Sequence, residues 1–367
     1  MSHIYVHIPF CERKCPYCDF FSQTDFSLRE EYAKAASEEI LRASKTDTES
    51  DTVYFGGGTP SAIDSRNITL ISDTIFEKFD LKNTEVTIEV NPNSLTESKA
   101  KDYISAGFNR ISIGVQSLND DTLKTLGRLH DRKAALNAID TARKAGFENI
   151  SADLIIAVPG QAPDQPIKDC EELINAGVKH ISTYSLSIEP GTKFFKLYDK
   201  TIEDLVPPET ERKMYWDVRD FLESRGIIPY EISNSAIKGY ESRHNLSYWN
   251  QCNYLGIGAG AHGYMCGRRY CHPKDINAYI QNPTQTELLE EMDSNDEMHE
   301  YPFLKLRTCE GISKSEFNQK FGVSIDEVFK SAIEKNVQSG MLENTEDAIR
   351  LTRKGFDFAN SVFMDFL

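Results

Sequence analysis

Three cysteines, Cys11, Cys15 and Cys18, fall within eight positions in a C-x-x-x-C-x-x-C pattern, directly after the mostly apolar run Tyr5 to Phe10. Three thiolates on so short a loop suit a [4Fe-4S] cube, because soft sulfur matches iron and the loop can wrap three corners. The fourth corner stays open. An open iron can take a bidentate amino-carboxylate, such as the methionine end of S-adenosylmethionine. A zinc knuckle completed by His3 or His7 is the competing chemistry, although zinc sites more often pair C-x-x-C with a second, distant pair. Further on, Gly56-Gly57-Gly58-Thr59-Pro60 places consecutive glycines where a backbone could approach a ligand that any Cβ would block. Glu89, Asn91 and Gln116 lie at the ends of later apolar runs.

These residues need a scaffold, and the pattern around them predicts one. Short β-branched runs alternate with longer amphipathic stretches before residue 190, as in a parallel sheet covered by helices. Six strands are predicted, at His3 to Ile8, Thr52 to Phe55, Glu85 to Val90, Arg110 to Val115, Ile150 to Ile156 and His180 to Leu186. Helices are predicted over 29–45, 66–78, 96–106, 120–145 with a break near Arg128, and 164–176, each long enough for a right-handed crossover. The polar clusters then follow strand ends, which carry the chemistry in barrels. Periodicity alone fits an open doubly wound sheet equally well.

Beyond this repeat, Pro207-Pro208 opens a helix over 209–224, Ile227 to Ile232 reads as a strand, and Arg243 to Gly263 is rich in aromatics and glycine. The polar stretch Asn282 to Asn295 reads as a linker or an exposed helix. A compact unit follows, with a helical Glu297 to Arg307, a helix start at Gly311-Ile312-Ser313 and a helix near 325–338. The chain thus divides into 1–273, a linker over 274–297, and a C-terminal unit over 298–367.

A hydrophobic content of 40% and a charged content of 27% are those of an ordinary globular chain. The net charge of −16 disfavours a broad grip on nucleic acid or anionic lipid. Met1 to Phe10 lacks the basic start and apolar core of a secretory signal, so the expected location is the cytoplasm. In that reducing compartment the scattered Cys170, Cys252, Cys266, Cys271 and Cys309 read as packed or exposed thiols.

Tyr5-Val6-His7-Ile8-Pro9-Phe10 leading into Cys11-x-x-x-Cys15-Pro16-Tyr17-Cys18-Asp19-Phe20, together with the Gly-Gly-Gly-Thr-Pro run, resembles the radical S-adenosylmethionine enzymes. More narrowly the chain resembles the oxygen-independent coproporphyrinogen III oxidase family, and within it the haem chaperone branch, over nearly its whole length. The resemblance implies an α/β fold: a partial (β/α)6 TIM-type radical SAM barrel with a small, mostly helical, winged-helix-like C-terminal domain. It also implies S-adenosylmethionine contacts from Tyr5, Tyr17, Gly57, Gly58, Thr59, Glu89, Gln116, Arg128 and Asp153. Carboxylates such as Glu89 can accept from an ammonium or ribose, and Arg128 can meet a carboxylate.

The chaperone branch carries His-Asn-x-x-Tyr-Trp, which stands here as His244-Asn245-Leu246-Ser247-Tyr248-Trp249. His244, Asn245, Tyr248 and Trp249 are therefore the haem candidates: imidazole ligates iron well, and the aromatics offer flat apolar surface. A buried histidine with an aromatic pair beneath a loop is the plainer reading of the same residues. Two departures speak against decarboxylase activity. The oxidase has one more cysteine two positions after the third ligand, where this chain has Phe20, and a longer N-terminal lead. The expected function is a haem chaperone serving haem-dependent acceptor proteins, holding a [4Fe-4S] cluster, S-adenosylmethionine and haem. The oxidase and another radical enzyme acting on a tetrapyrrole are the alternatives. Nucleic acid is not expected as a partner; peripheral membrane contact and homodimer formation stay open.

Overall fold

The computed structural model describes residues 2–43 and 50–367. Six parallel strands form its centre: β1 (Ser2–Ile8), β2 (Ser50–Gly57), β3 (Glu85–Val90), β4 (Arg110–Gln116), β5 (Asn149–Ile156) and β6 (His180–Ser185). They lie side by side in chain order. That order decides between the two architectures, because a doubly wound sheet reverses direction at a switch point and a barrel does not. The fold is a partial (β/α)6 barrel.

Period-2 alternation sorts each strand into two faces. Ile4, Val6, Ile8, Val53, Phe55, Val86, Ile88, Ile111 and Ile113 pack into the main core with the covering helices. Those helices are α1 (Arg29–Arg42), α2 (Ser65–Lys78), α3 (Glu97–Ser105), α5 (Arg132–Ala145) and α6 (Gln165–Asn175), with the short α4 (Asp120–Thr125) preceding α5. The expected helix over 29–45 closes at Arg42, and its positions 44 and 45 lie outside the described residues. The alternate set faces the barrel interior and is polar, with His3 bonded to Thr52, Tyr54 to Glu89, Ser112 to Asp153 and Ser151 to His180. The predicted break near Arg128 is present between α4 and α5. Gly127 takes φ 69° there, and Asp131 caps α5 by accepting from the Ala134 amide.

After β6 come α7 (Lys193–Tyr198), α8 (Ile202–Leu205) and α9 (Pro208–Ser224), then β7 (Ile228–Pro229) and β8 (Asn234–Ala236). The strand expected over Ile227 to Ile232 shrinks to the two residues of β7, because the segment turns toward the C-terminal unit: the Ile232 amide donates to the Arg307 carbonyl, and the Cys309 amide to that of Tyr230. Helix α10 (Arg243–Trp249) is followed by β9 (Tyr254–Ile257), which runs parallel to β1, and by the antiparallel β10 (His262–Met265) and β11 (Arg268–Cys271). Then come α11 (Ile276–Gln281) and β12 (Glu287–Glu291). The last of these corrects the reading of Asn282 to Asn295 as linker or exposed helix, since β12 pairs with β11 and extends the sheet to twelve strands. All five of its residues are exposed, so no apolar alternation marked it.

The C-terminal unit has α12 (Ser294–Lys305), β13 (Ile312–Ser313), α13 (Lys314–Phe321), α14 (Ile325–Val328), α15 (Lys330–Gln338), β14 (Leu342–Asn344), β15 (Ala348–Leu351), α16 (Arg353–Asp357) and α17 (Ala359–Met364). Its three strands form a separate sheet over a core that includes Leu306, Ile312, Phe317, Ile349 and Phe363. Gly311-Ile312-Ser313, read as a helix start, leads into α13, which Ser313 caps, and Ile312 and Ser313 also pair as the short strand β13.

Candidate functional site

The cysteine loop leaves β1 and is pinned at both ends. The Cys11 amide donates to the Gln23 carbonyl at 2.9 Å, and the Gln23 amide returns a bond to Pro9. Below it, Gly58 and Thr59 donate to the Ile8 and Phe10 carbonyls, locking the glycine turn under the loop. A Cβ on Gly58 would stand 2.8 Å from both of those oxygens, so the run is needed for chain packing as well as for ligand approach. Cys11, Cys15 and Cys18 face a cavity of about 480 Å³. Burial pushes the Cys11 and Cys18 thiols up, with the Thr59 hydroxyl at Cys11 and the Phe20 backbone at Cys18 pulling back.

The three thiols face one cavity, as a cube that takes one thiolate per iron needs. Among the described residues no three His, Cys, Asp or Glu side chains are grouped tightly enough for one metal. A cube takes one thiolate per iron and so spaces its ligands more widely. The histidines that could have completed a zinc site are engaged elsewhere: His3 with Thr52, His7 with Tyr5 and the Phe21 carbonyl.

The same cavity is lined by Tyr17, Gly57, Gly58, Thr59, Glu89, Gln116, Arg128 and Asp153. Eight of the nine expected cofactor contacts are thus brought together. The ninth, Tyr5, sits one layer beneath, its ring stacked on Tyr54. Arg128 is placed by the gap between α4 and α5. It donates to Asn91 Oδ1 at 2.6 Å and to the Gly114 carbonyl at 3.0 Å, and its other nitrogen reaches Cys15 Sγ at 3.5 Å. Asn91 in turn donates to Thr59, tying the glycine turn to Arg128. Sequence reasoning noted Asn91 without assigning it a role, and it missed Ser112, Tyr184, Ser185, Ser187 and Glu189 on the cavity wall. Period-2 counting inward from Gln116 finds Ser112; the residues after β6 follow from the rule that strand C-termini carry the site.

Glu89 is the titratable group on this wall with the clearest consequence. Burial raises its pKa to about 7; bonds from Tyr54 and the Gly57 amide hold it down, and the Asp153 charge adds to the rise. A cationic ligand needs the ionised form, so affinity is present above the folded pKa and is lost as pH falls through it. S-adenosylmethionine affinity is expected to rise about tenfold from about pH 6 to about pH 8. Glu89→Gln should flatten that profile in a calorimetric titration; an unchanged slope would show that Glu89 does not meet the cation.

The haem candidates stand at the other end of the barrel. The α10 backbone enters over the strand N-termini, where Glu85 accepts from the Arg243 and His244 amides at 3.1 and 3.2 Å. His244 is 1% exposed, and both ring nitrogens are bonded, to Thr52 Oγ1 at 2.7 Å and to the Tyr248 hydroxyl at 2.8 Å. Trp249 is half-buried under the Arg307 guanidinium, with its indole N–H unpartnered. Asn245 has its amide on the capping Ser242. None of the four lines the cofactor cavity. Glu85→Ala removes the acceptor for two amides at the start of α10 and is expected to cost about 2 kcal/mol. Urea unfolding measures it, and a loss below about 0.5 kcal/mol would mean that water replaces the carboxylate.

A barrel of sequential strands, a three-thiol loop after the first and a glycine turn after the second, all meeting at one cavity, define a radical S-adenosylmethionine protein. The Radical SAM superfamily model matches residues 5–173, and the HemN C-terminal domain model matches 292–358. The chain is 37% identical to the heme chaperone HemW of Bacillus subtilis, covering 100% of this chain and 99% of that protein. It is 30% identical to the Escherichia coli heme chaperone HemW, over 99% and 97% of the two chains. It therefore belongs to the HemW family. The fold is shared with the radical SAM enzyme coproporphyrinogen III oxidase (HemN) of Escherichia coli, at a TM-score of 0.85 and 21% identity, covering 100% of this chain and 90% of that one. Superfamily membership implies S-adenosylmethionine and a [4Fe-4S] cluster. No helix among the described residues is long and apolar enough to cross a membrane.

Proposed function

We propose that this chain is a haem chaperone, binding haem and passing it to haem-dependent acceptor proteins, with Cys11, Cys15 and Cys18 holding a [4Fe-4S] cluster. The observation that carries this reading is full-length likeness to proteins named heme chaperones, at 37% identity in one case. At the cavity mouth, Phe20 is 63% exposed where the oxidases have a further thiol, and among the described residues the cysteines on the wall are Cys11, Cys15 and Cys18. Glu89 and Asp153 offer acceptors to the cofactor's ammonium and hydroxyls, Arg128 a donor to its carboxylate, and the Gly57-Gly58 backbone a close approach. Bound together, cluster and S-adenosylmethionine supply one-electron reduction of a sulfonium. This chain's residues orient that pair and shield it from water.

The test is anaerobic cluster reconstitution followed by haem titration and a coproporphyrinogen III turnover assay, on wild type and His244→Ala. Stoichiometric haem binding that weakens at least tenfold in the variant, with no decarboxylated product, is the expected result. Decarboxylated product without specific haem binding would replace the chaperone with the oxidase.

A further inference from the structure

Three stacked rings inside the barrel join its two ends. At the cofactor end the Tyr54 hydroxyl donates to Glu89 at 2.7 Å, and the Tyr54 ring stacks on His244 with centroids 4.9 Å apart and planes at 23°. A second path begins at the cysteine loop. The Phe21 carbonyl can only accept, so His7 Nε2 carries the proton there, at 2.9 Å, and His7 Nδ1 accepts from the Tyr5 hydroxyl at 3.1 Å. Tyr5 stacks on Tyr54 and on His244, at 6.3 and 6.4 Å. Both paths end on one imidazole.

That imidazole is closed to any ligand as found, because Thr52 and Tyr248 occupy its two nitrogens. The helix that carries it is held by Glu85 at its start, and just past its end by the Lys305 bond to Asn250 and the Gln251 bond to Glu300. Withdrawal of α10 from the barrel floor breaks the Thr52 bond and offers Nδ1 to iron, while the Tyr248 bond, made within the same helix, travels with it. Tyr54 is placed to sense the cofactor cavity, since its hydroxyl donates to Glu89 Oε1 and a cation brought to that carboxylate draws off its charge and weakens it as an acceptor.

We infer that the Tyr5, Tyr54 and His244 stack links the two ends in one equilibrium, in which a cationic cofactor at Glu89 loosens Tyr54 and favours withdrawal of α10, opening His244 to haem iron. The haem half of this statement rests on the function proposed above. Coupling of binding is reciprocal, so haem at His244 raises cofactor affinity by the same factor. Tyr54 is a positioning residue here.

The test uses cluster-reconstituted protein without reductant, so that S-adenosylmethionine stays intact. Amide hydrogen exchange across residues 243–249 and haem affinity are each measured with and without saturating S-adenosylmethionine, in wild type and in Tyr54→Phe, which keeps the ring and removes the hydroxyl. In wild type the cofactor should speed exchange and strengthen haem binding about fivefold or more. In Tyr54→Phe both ratios should fall toward one while the cofactor still binds. Unchanged exchange across α10 in wild type overturns the inference, and that arm decides even if the variant fails to fold. Undiminished coupling in a folded Tyr54→Phe overturns it as well. If haem affinity ignores His244→Ala while the cofactor still speeds exchange, the haem assignment fails and the coupling stands.

Discussion

Replacing Cys15 by alanine is expected to leave a folded chain that assembles no stable cluster. A cube needs a thiolate on each protein-bound iron, and two anchors leave two corners exchangeable. Among the described residues no histidine or further cysteine is placed to substitute. His3 and His7 are held by Thr52, Tyr5 and the Phe21 carbonyl, and the remaining five cysteines do not line the cavity. Cys170 is fully buried in the main core, where burial pushes its thiol far up and leaves it inert. After anaerobic reconstitution, bound iron should fall from about four per chain to below about one, and S-adenosylmethionine affinity by about tenfold or more as its amino-carboxylate loses the open iron. Cys170→Ala should keep its iron, separating loss of a ligand from loss of any thiol. Wild-type iron and visible absorption in Cys15→Ala would remove the three-thiol loop from the cluster site.

Gly57→Ala is expected to destabilise the chain by on the order of 3 kcal/mol, because two penalties coincide. Gly57 has φ 103°, and a Cβ there would lie 2.5 Å from the His7 ring. The ring cannot swing away without breaking its bonds to Tyr5 and to Phe21, and the Phe21 bond ties it to the cysteine loop. Strain at Gly57 therefore reaches the cysteine loop through the His7–Phe21 bond, so cofactor affinity is expected to fall together with stability. Gly146→Ala is the control. It too has a positive φ, 111°, but its Cβ would meet nothing within 4 Å, so only the backbone penalty of about 1 kcal/mol applies. Urea midpoints for the two variants measure the difference. Equal losses would mean that His7 yields freely and that the glycine serves its backbone angle alone.

The sequence by itself determined the local features. The alternation of strand and helix, the three-thiol loop, the glycine turn and the break that frees Arg128 depend on side-chain period, on caps and on glycine conformations. All of these act within a few residues. The expected cofactor residues were legible through the resemblance, and most of them lie on or just past the C-terminal halves of β2 to β5.

Only the tertiary structure decided the rest. Parallel strands in either architecture show the same period, and strand order alone made this a barrel with a polar interior. The meeting of Arg128 with Asn91 and Cys15 crosses 37 and 113 residues of chain, and that of His244 with Thr52 crosses 192. No local pattern records such contacts. The motif around His244 could be found in the sequence as a motif, but its place at the barrel floor with both nitrogens occupied comes from packing. Strand β12 shows the same limit from the other side: a fully exposed edge strand has no buried face, so the hydrophobic alternation that reveals other strands is absent from Glu287–Glu291. Backbone pairing with β11 forms it, and pairing is decided between segments, not within one.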